Sequence, residues 1–512
     1  MTAKVKSVGL MGLDGYIVEV EADISNGMPC FEIVGLPDSA IKESKERVKA
    51  AITNSGLLFP LKRIVVNLAP ADIKKNGPSY DLPIAIAILS ASLQINISQT
   101  EDYAFVGELA LDGSLRHIAG ALPMVIECAK AKISNIIVPE CNSYETSIMK
   151  LCNTRPAKSL DEVVKHFTTT TEENRLPKVK ADITEELSCD DNYNICFSDV
   201  KGQEDVKRAI EIAVSGGHNV LMIGPPGSGK SMIAKRIPSI LPDLSFKEAI
   251  EITKIYSIAG LLKRGDSLIK TRPFRSPHHT ISSAGLTGGG SIPKPGELSL
   301  AHNGVLFMDE LPEFHRDALE GMRGPLEEGE VAISRVQGTL TYPCNILFCA
   351  SMNPCKCGYY GDNKHKCSCN FTSIEQYRNK ISGPLLDRID IHIDVPAVEY
   401  KDLSDRQIGE KSADIKKRVN SARKLQRDRY TKDKIYSNAN LTPKLIRKYC
   451  KLDEECTNAL KQAFDRLGLS ARAHDRILKV ARTIADLAEE PNIKLPHILE
   501  AISYRSLDRT IS

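Results

Sequence analysis

The chain has 512 residues, of which 42% are hydrophobic and 26% charged, with 68 Lys and Arg against 65 Asp and Glu. That length exceeds what one core can organise and predicts about two to four domains. The formal charge of +3 argues neither for nor against a nucleic-acid partner, and no apolar run reaches the roughly 18 residues a membrane span needs. Met1-Thr2-Ala3-Lys4-Val5-Lys6 lacks the apolar core of a secretory signal, so a cytoplasmic protein with no membrane partner is expected. In a reducing compartment most of the 14 cysteines should be buried free thiols. Trp is absent, which leaves Tyr, Phe and Arg for any stacking on bases.

Residues 1–167 alternate short strands and helices and read as a domain. Val5–Leu10, Tyr16–Ala22 and Arg63–Leu68 are strand-like, Ser39–Asn54 is an amphipathic helix, and Leu82–Leu93 is a more apolar one. Within them, Asn76-Gly77-Pro78-Ser79 resembles the nucleophile segment of the Lon protease domain. The stretch Gly107-Glu108-Leu109, Asp112-Gly113, Ala119-Gly120 resembles the strand pair that precedes Lon's catalytic lysine. Counted along that resemblance, the lysine position holds Leu122. A serine without its base is a poor nucleophile, so a Lon-like α+β domain without peptidase chemistry is expected. Residues 168–196, with four consecutive threonines and an acid-rich run, predict a linker.

A second domain is expected over 197–396. Gln203–Ser215 is helical by pattern, and Val220–Ile223 is a short buried strand. It runs into Gly224-Pro225-Pro226-Gly227-Ser228-Gly229-Lys230-Ser231, the phosphate-binding loop pattern. Glycines let backbone N–H groups turn onto phosphate oxygens, and the following helix adds its positive end. Lys230 would neutralise the outer phosphates of ATP, and the Ser231 hydroxyl would hold Mg²⁺. Val305–Met308 is another strand, ending in Asp309 and Glu310. Asp309 would reach Mg²⁺ through water, and Glu310 would orient or deprotonate the attacking water. Asn353, closing the strand Asn345–Met352, would add a polar amide beside them.

Between loop and carboxylates lies a long insertion, about 258–300, containing Arg272-Pro273-Phe274-Arg275-Ser276-Pro277-His278-His279-Thr280 and Gly288-Gly289-Gly290. It predicts a hairpin or loop projecting from the core. Adjacent histidines in extended chain point to opposite sides, so a projecting loop is preferred over a metal site there. Cys355, Cys357, Cys367 and Cys369 fall in a 355–369 insertion. Four cysteines so close suit a closed, structural Zn²⁺ site, although the one-residue spacing within each pair is tight, and free thiols or a redox pair are the alternatives. Arg388 reads either as a surface ion pair or as a charge offered to a neighbour's ATP. Residues 397–512 predict a helical lid. From Lys401 to Lys451 there are 16 Lys or Arg against 6 Asp or Glu, which is either a solvated helix face or a contact to phosphate backbone.

Taken together, these segments resemble the YifB/ComM family of magnesium-chelatase-like AAA+ ATPases. The carriers are the loop at 224–231, R-P-F-R-S-P-H-H-T, G-E-L-S-L-A-H-N-G-V-L-F-M-D-E, M-N-P-C-K-C-G, L-L-D-R-I-D and S-A-R-A-H-D-R-I-L-K-V-A-R-T-I-A-D-L. The resemblance implies an α/β fold: a P-loop AAA+ parallel-sheet core with a helical C-terminal lid and the Lon-protease-like domain in front. It implies Asn353 as first sensor, Arg388 as arginine finger, and Arg472, with Arg476 as fallback, as second sensor. It further implies a homo-oligomer, with a hexameric ring expected, and an insertion whose loops face the ring's pore, Arg272 and Arg275 among them. Two outputs stay open. One is a ComM-like helicase or branch-migration motor on DNA, independent of sequence; the other is a chelatase-like remodeller or unfoldase of a protein client. ATP and Mg²⁺ are the implied cofactors.

Overall fold

The computed structural model describes residues 1–148, 152–169, 175–179, 195–263, 265–290, 293–335, 338–362, 365–397, 409–433, 435–467 and 470–505. Most of the expected 168–196 linker and the first residues of the basic stretch, 401–408, lie outside them. The chain divides into two compact units, Met1–Ser188 with Phe246–Lys270, and Cys189–Ser245 with Thr271–Ser512. Among the described residues no helix is long and apolar enough to cross a membrane.

The first unit is built on a seven-stranded mixed sheet. β1 (Thr2–Met11) and β2 (Asp14–Ser25) form an antiparallel hairpin, turned at Gly12 with φ 64°. β3 (Cys30–Val34), α1 (Ser39–Asn54), β4 (Arg63–Ala69), α2 (Asp81–Ala91), β5 (Tyr103–Phe105), α3 (Ala121–Lys130), β6 (Asn135–Pro139), β7 (Asn153–Ala157) and α4 (Leu160–Thr168) follow. The strand order is β3-β4-β2-β1-β5-β6-β7. Asp38 caps α1 by accepting from the Ile41 N–H at 2.8 Å, the expected start signal for a helix. α2 is buried on every side, as an all-apolar helix must be. Its one charge, Asp81, accepts from Arg47 at 2.7 and 3.1 Å and from the Leu109 N–H at 3.2 Å, which offsets the cost of burying a carboxylate. Ser79 is buried just before α2, and Leu122 lies in the apolar first turn of α3.

The helix Phe246–Ala259 packs on α3 in this unit. The core expected over 197–396 spans these residues in sequence, yet they pack with the first unit. Ala249, Ile252 and Ile255 are its buried apolar positions. Ser257 donates to buried Glu145 at 2.5 Å, and the Ser257 carbonyl accepts from Gly120 N–H at 3.0 Å.

The second unit carries a five-stranded parallel sheet. α5 (Glu204–Gly216) leads through Gly217, at φ 73°, into β8 (Val220–Ile223). α6 (Lys230–Arg236), β9 (Phe274–Arg275), β10 (Val305–Met308), β11 (Leu347–Met352) and β12 (Ile391–Asp394) complete the core. The order is β9-β10-β11-β8-β12, parallel throughout. β8, β10 and β11 are buried along their whole length, which is why they read as unbroken apolar runs. Five C-terminal helices follow among the described residues: α7 (Ser412–Tyr430), the short helix Pro443–Tyr449, α8 (Glu454–Leu467), α9 (Ala471–Leu487) and α10 (Leu495–Ser503). One apolar core joins strands and lid, from Val220 and Phe307 to Val419, Ile477 and Ile498.

Part of the expected projecting insertion belongs to the sheet instead. Phe274–Arg275 pairs with Val305–Leu306 as the edge strand, and Phe274 stacks on Phe307 at 6.2 Å. The Gly288–Gly289 segment does turn back, pairing antiparallel with Lys294–Pro295.

Candidate nucleotide site

In a parallel sheet the strand C-terminal ends gather at one edge, where ligands of open α/β folds bind. β8 ends at Gly224, β10 at Asp309 and β11 at Asn353, so strand order puts the Asn-bearing strand between the loop and the carboxylates. Gly224 leaves no room for a side chain, since a Cβ there would lie 2.2 Å from the Val395 carbonyl oxygen. Gly227 and Gly229 take φ of 78° and 89°, values that favour glycine. α6 then begins at Lys230, with Gly229 at its cap position.

The polar side chains converge. Lys230 Nζ donates to the carbonyls of Gly224 and Pro225 at 2.8 and 2.9 Å, and to Ser228 Oγ and Asn353 Oδ1 at 3.4 Å each. Burial lowers its pKa, opposed by the charges of Asp309 and Glu310. Ser231 Oγ donates to Asp309 Oδ2 at 2.6 Å. Asp309 Oδ1 accepts from the Glu310 N–H at 3.1 Å and from the Ser351 hydroxyl. Glu310 itself adopts φ 52°, an uncommon conformation for a side-chain-bearing residue that clusters at functional sites. The pairing of a hydroxyl with a carboxylate suits an oxygen-preferring divalent ion such as Mg²⁺.

Two participants were not found from sequence. Ser351 lies opposite Asp309, one step beyond the Met308–Ala350 pair, and a hydroxyl two residues before Asn353 in an otherwise apolar strand was the available signal. Gln203, at φ 57°, donates to the carbonyls of Ser228 and Pro396 at 2.9 Å each, tying the loop to the strand beyond it.

Arg388 and Arg472 do not join this cluster. β12 runs parallel to β8 with Val220 opposite Ile391 and Ile223 opposite Asp394, so Arg388 precedes the sheet edge opposite the loop. It donates to the Pro384 carbonyl at 2.7 Å and pairs with Glu327. Arg472 stands 3.6 Å from Asp387, and Arg476 stands 3.5 Å from Asp390. All three arginines therefore gather at the far end of β12.

The four cysteines do come together. Cys355 Sγ lies 3.3 Å from Cys357 and 3.7 Å from Cys367, Cys357 lies 3.5 Å from Cys367, and all four sulfurs fall within 4.8 Å of one another. Zn–S bonds of about 2.3 Å in a tetrahedron give sulfur–sulfur edges of about 3.8 Å, so the set fits zinc. Backbone N–H groups of Tyr359 and Ser368 hold Cys357 down at about 5. The His278 and His279 rings lie 4.1 Å apart, tilted by 34°, rather than on opposite sides of an extended chain, and they are not part of a ligand cluster among the described residues.

The basic candidates need correcting. Arg272 donates to the carbonyls of Pro242, Asn303 and Asp243 at 2.6, 2.7 and 3.1 Å, and Arg275 forms a bidentate pair with Glu297 at 2.6 Å. These are bonds that fix the chain around β9, so neither guanidinium is held out toward a polyanion. A few cations of the basic stretch are likewise paired within the unit, while Lys424, Arg427, Lys432, Lys444, Arg447 and Lys451 are exposed. Lys416 pairs with Asp243, Arg418 with Glu211 and Glu410, and Arg429 with Asp486.

Comparisons with known proteins identify the family. The family model for magnesium chelatase subunit ChlI matches residues 196–403, its C-terminal model 409–505, and a further ChlI model 20–142. The chain is 43% identical to YifB of Escherichia coli, over 98% of this chain and 96% of that protein. It is 42% identical to competence protein ComM of Haemophilus influenzae, over 99% and 98%. Lon protease 2 of Bacillus subtilis matches over 146 residues at 35% identity, 26% of each chain. The Lon likeness belongs to the N-terminal α/β unit, and the chelatase likeness to the parallel-sheet core and its helical lid. The chain belongs to the YifB/ComM family of magnesium-chelatase-like AAA+ ATPases.

Proposed function

We propose that the chain binds ATP with Mg²⁺ at Gly224–Ser231, hydrolyses it within a ring of copies, and uses the energy to move on DNA as a helicase or branch-migration motor. The convergence of Lys230, Ser231, Asp309 and Asn353 within hydrogen-bond range supports the ATP site. The near full-length likeness to ComM carries the DNA part of the reading, because the internal pairing of Arg272 and Arg275 removes those two from the charge argument and leaves only the exposed cations of the lid.

Each residue then has a task. Backbone N–H groups of the loop and Lys230 bind the outer phosphates. Ser231 and Asp309 would hold Mg²⁺, which when bound would supply positive charge to the phosphates. Ser351, by bonding one Asp309 oxygen, leaves the other directed at Ser231. Glu310 takes a proton from the attacking water, and Asn353 orients that water. Arg388 and Arg472 stand at the opposite sheet edge from their own loop, so in this reading both are offered to the ATP of a neighbouring subunit. Transition-state charge would then be stabilised only in the assembled ring.

The Lon-like N-terminal unit favours a second reading, in which that unit presents a protein client to the motor. One titration separates the two. ATPase rate is measured at low salt against duplex, forked and single-stranded DNA, and against an unfolded protein. Stimulation by DNA that fades as salt rises supports the first reading, because counterion release dominates backbone contacts. Stimulation by unfolded protein alone overturns it.

A further inference from the structure

The four-cysteine knot is joined to the nucleotide site at two places. It begins two residues beyond Asn353, and Gly358, at φ +90°, lies against the phosphate loop. A Cβ on Gly358 would stand 2.7 Å from Pro226 Cδ and 2.9 Å from its Cγ. The Gly358 N–H donates to the Cys355 carbonyl at 3.0 Å, so the cysteine loop itself sets the position of the glycine that touches Pro226. Beyond Cys369, Asn370 caps the helix Phe371–Arg378 by accepting from Ser373 N–H at 2.8 Å. That helix returns to the site. Arg378 donates to the Pro354 carbonyl at 3.4 Å and covers the Tyr360 ring at 5.6 Å. Lys380 then pairs with Glu313, three residues past Glu310, at 3.1 Å.

Among the described residues the rest of the knot is held by polar and ring contacts near the surface, with Tyr359 and His365 4.7 Å apart and His365 3.2 Å from Asp362. Of its four cysteines only Cys355 is fully buried, and Lys356, Tyr360, Lys366 and Ser368 are at least partly exposed. A loop without an apolar core of its own takes its order from the metal that closes it. A metal here therefore does more than hold a surface loop together, because the loop it orders is packed on Pro226.

We propose that the zinc held by Cys355, Cys357, Cys367 and Cys369 braces the phosphate loop through Gly358 and Pro226, making nucleotide affinity dependent on the metal. This rests on reading Gly224–Ser231 as the ATP site and the cysteines as the zinc site. Coupling between two ligands is reciprocal, so bound nucleotide must also tighten the hold on zinc.

The test uses the full chain, with metal content measured directly and binding of a fluorescent ATP analogue measured by titration. Stripping the zinc with a chelator should weaken the analogue at least about fivefold, the low end of ordinary site-to-site coupling, and added Zn²⁺ should restore it. Gly358→Ala keeps all four ligands but presses a methyl on Pro226, so it should retain zinc and still bind the analogue more weakly. ATP should raise the chelator concentration needed to remove half the zinc. Unchanged affinity in both the stripped chain and zinc-loaded Gly358→Ala, or zinc release indifferent to ATP, would overturn the brace. A purified chain with no metal would overturn it as well. The ATP-site reading fails separately if Lys230→Ala binds the analogue as well as the unaltered chain.

Discussion

At the scale of single residues, Asp309 and Glu310 are neighbours with different surroundings. Asp309 is held by Ser231, Ser351 and the Glu310 N–H, whereas Glu310 is an exposed carboxylate on a left-handed backbone. The first is fixed in place by its partners, and the second is open to solvent, which suits the water-activating role proposed for it. Glu310→Gln should keep nucleotide affinity and lose about 10²- to 10⁴-fold in turnover, the usual worth of a general base. Equal losses of binding and turnover, compared by titration and steady-state assay, would remove that role. Arg388→Ala should bind ATP and lose about 10³-fold or more in hydrolysis, as for other arginine fingers. Mixing it with Lys230→Ala subunits should recover part of the activity, since a Lys230→Ala copy still offers its own Arg388 to an intact loop. No recovery in a mixed, assembled ring would place Arg388 outside the active site. The loop, the two carboxylates and Asn353 were legible in the sequence because each ends an apolar strand. Ser351 and Gln203 were not, since their value depends on strand register and on a turn that local patterns do not reveal.

At the scale of elements, the lid is locked by a buried polar network rather than by apolar contact alone. Asp486 on α9 accepts from Arg429 at 2.5 and 2.9 Å, from Arg482 at 3.1 Å and from Asn438 at 2.9 Å. His218 and Thr483, 2.7 Å apart, link the same helix to the start of β8. Asp486→Ala leaves Arg482, 2% exposed, without its carboxylate, and should cost about 3–5 kcal/mol by denaturant unfolding, as for other broken buried pairs. In the first unit, His166 on α4 accepts from Leu176 N–H at 3.1 Å and lies 3.1 Å from the Tyr103 hydroxyl. Burial, then the charges of Arg155 and Arg175, hold its pKa at about 4 against an ordinary 6.5. The unfolded chain therefore binds a proton that the folded one refuses. Stability from this group is complete above pH 6.5 and falls as pH drops toward 4, by about 1.4 kcal/mol per pH unit. His166→Gln should flatten the slope of unfolding free energy against pH in that window. The helix α1 was readable from its amphipathic pattern. β9 was not, because two residues in a Pro- and His-rich run give no alternation to read.

At the scale of the whole molecule, the motifs and their resemblance to known families led to the expectation of a Lon-like front, a nucleotide core and a helical lid. Charge was a poorer guide to the partner, because a basic count does not distinguish a guanidinium bonded to carbonyls, as Arg272 is, from one facing solvent. Salt-dependent stimulation by DNA is accordingly the decisive global measurement. The excursion Phe246–Lys270 has a further consequence. Since this segment belongs with the N-terminal unit, the chain passes between the units three times, and the two are threaded rather than strung in sequence. Cleavage in the 168–196 region alone would nick the protein without releasing either piece. A shortened chain that starts at Cys196 would carry Ala249, Ile252 and Ile255 with no α3 to cover them, and it should aggregate unless 246–270 is replaced by a short polar turn. Modular excision, the usual way of assigning work to separate domains, requires three cuts in this protein and a repair.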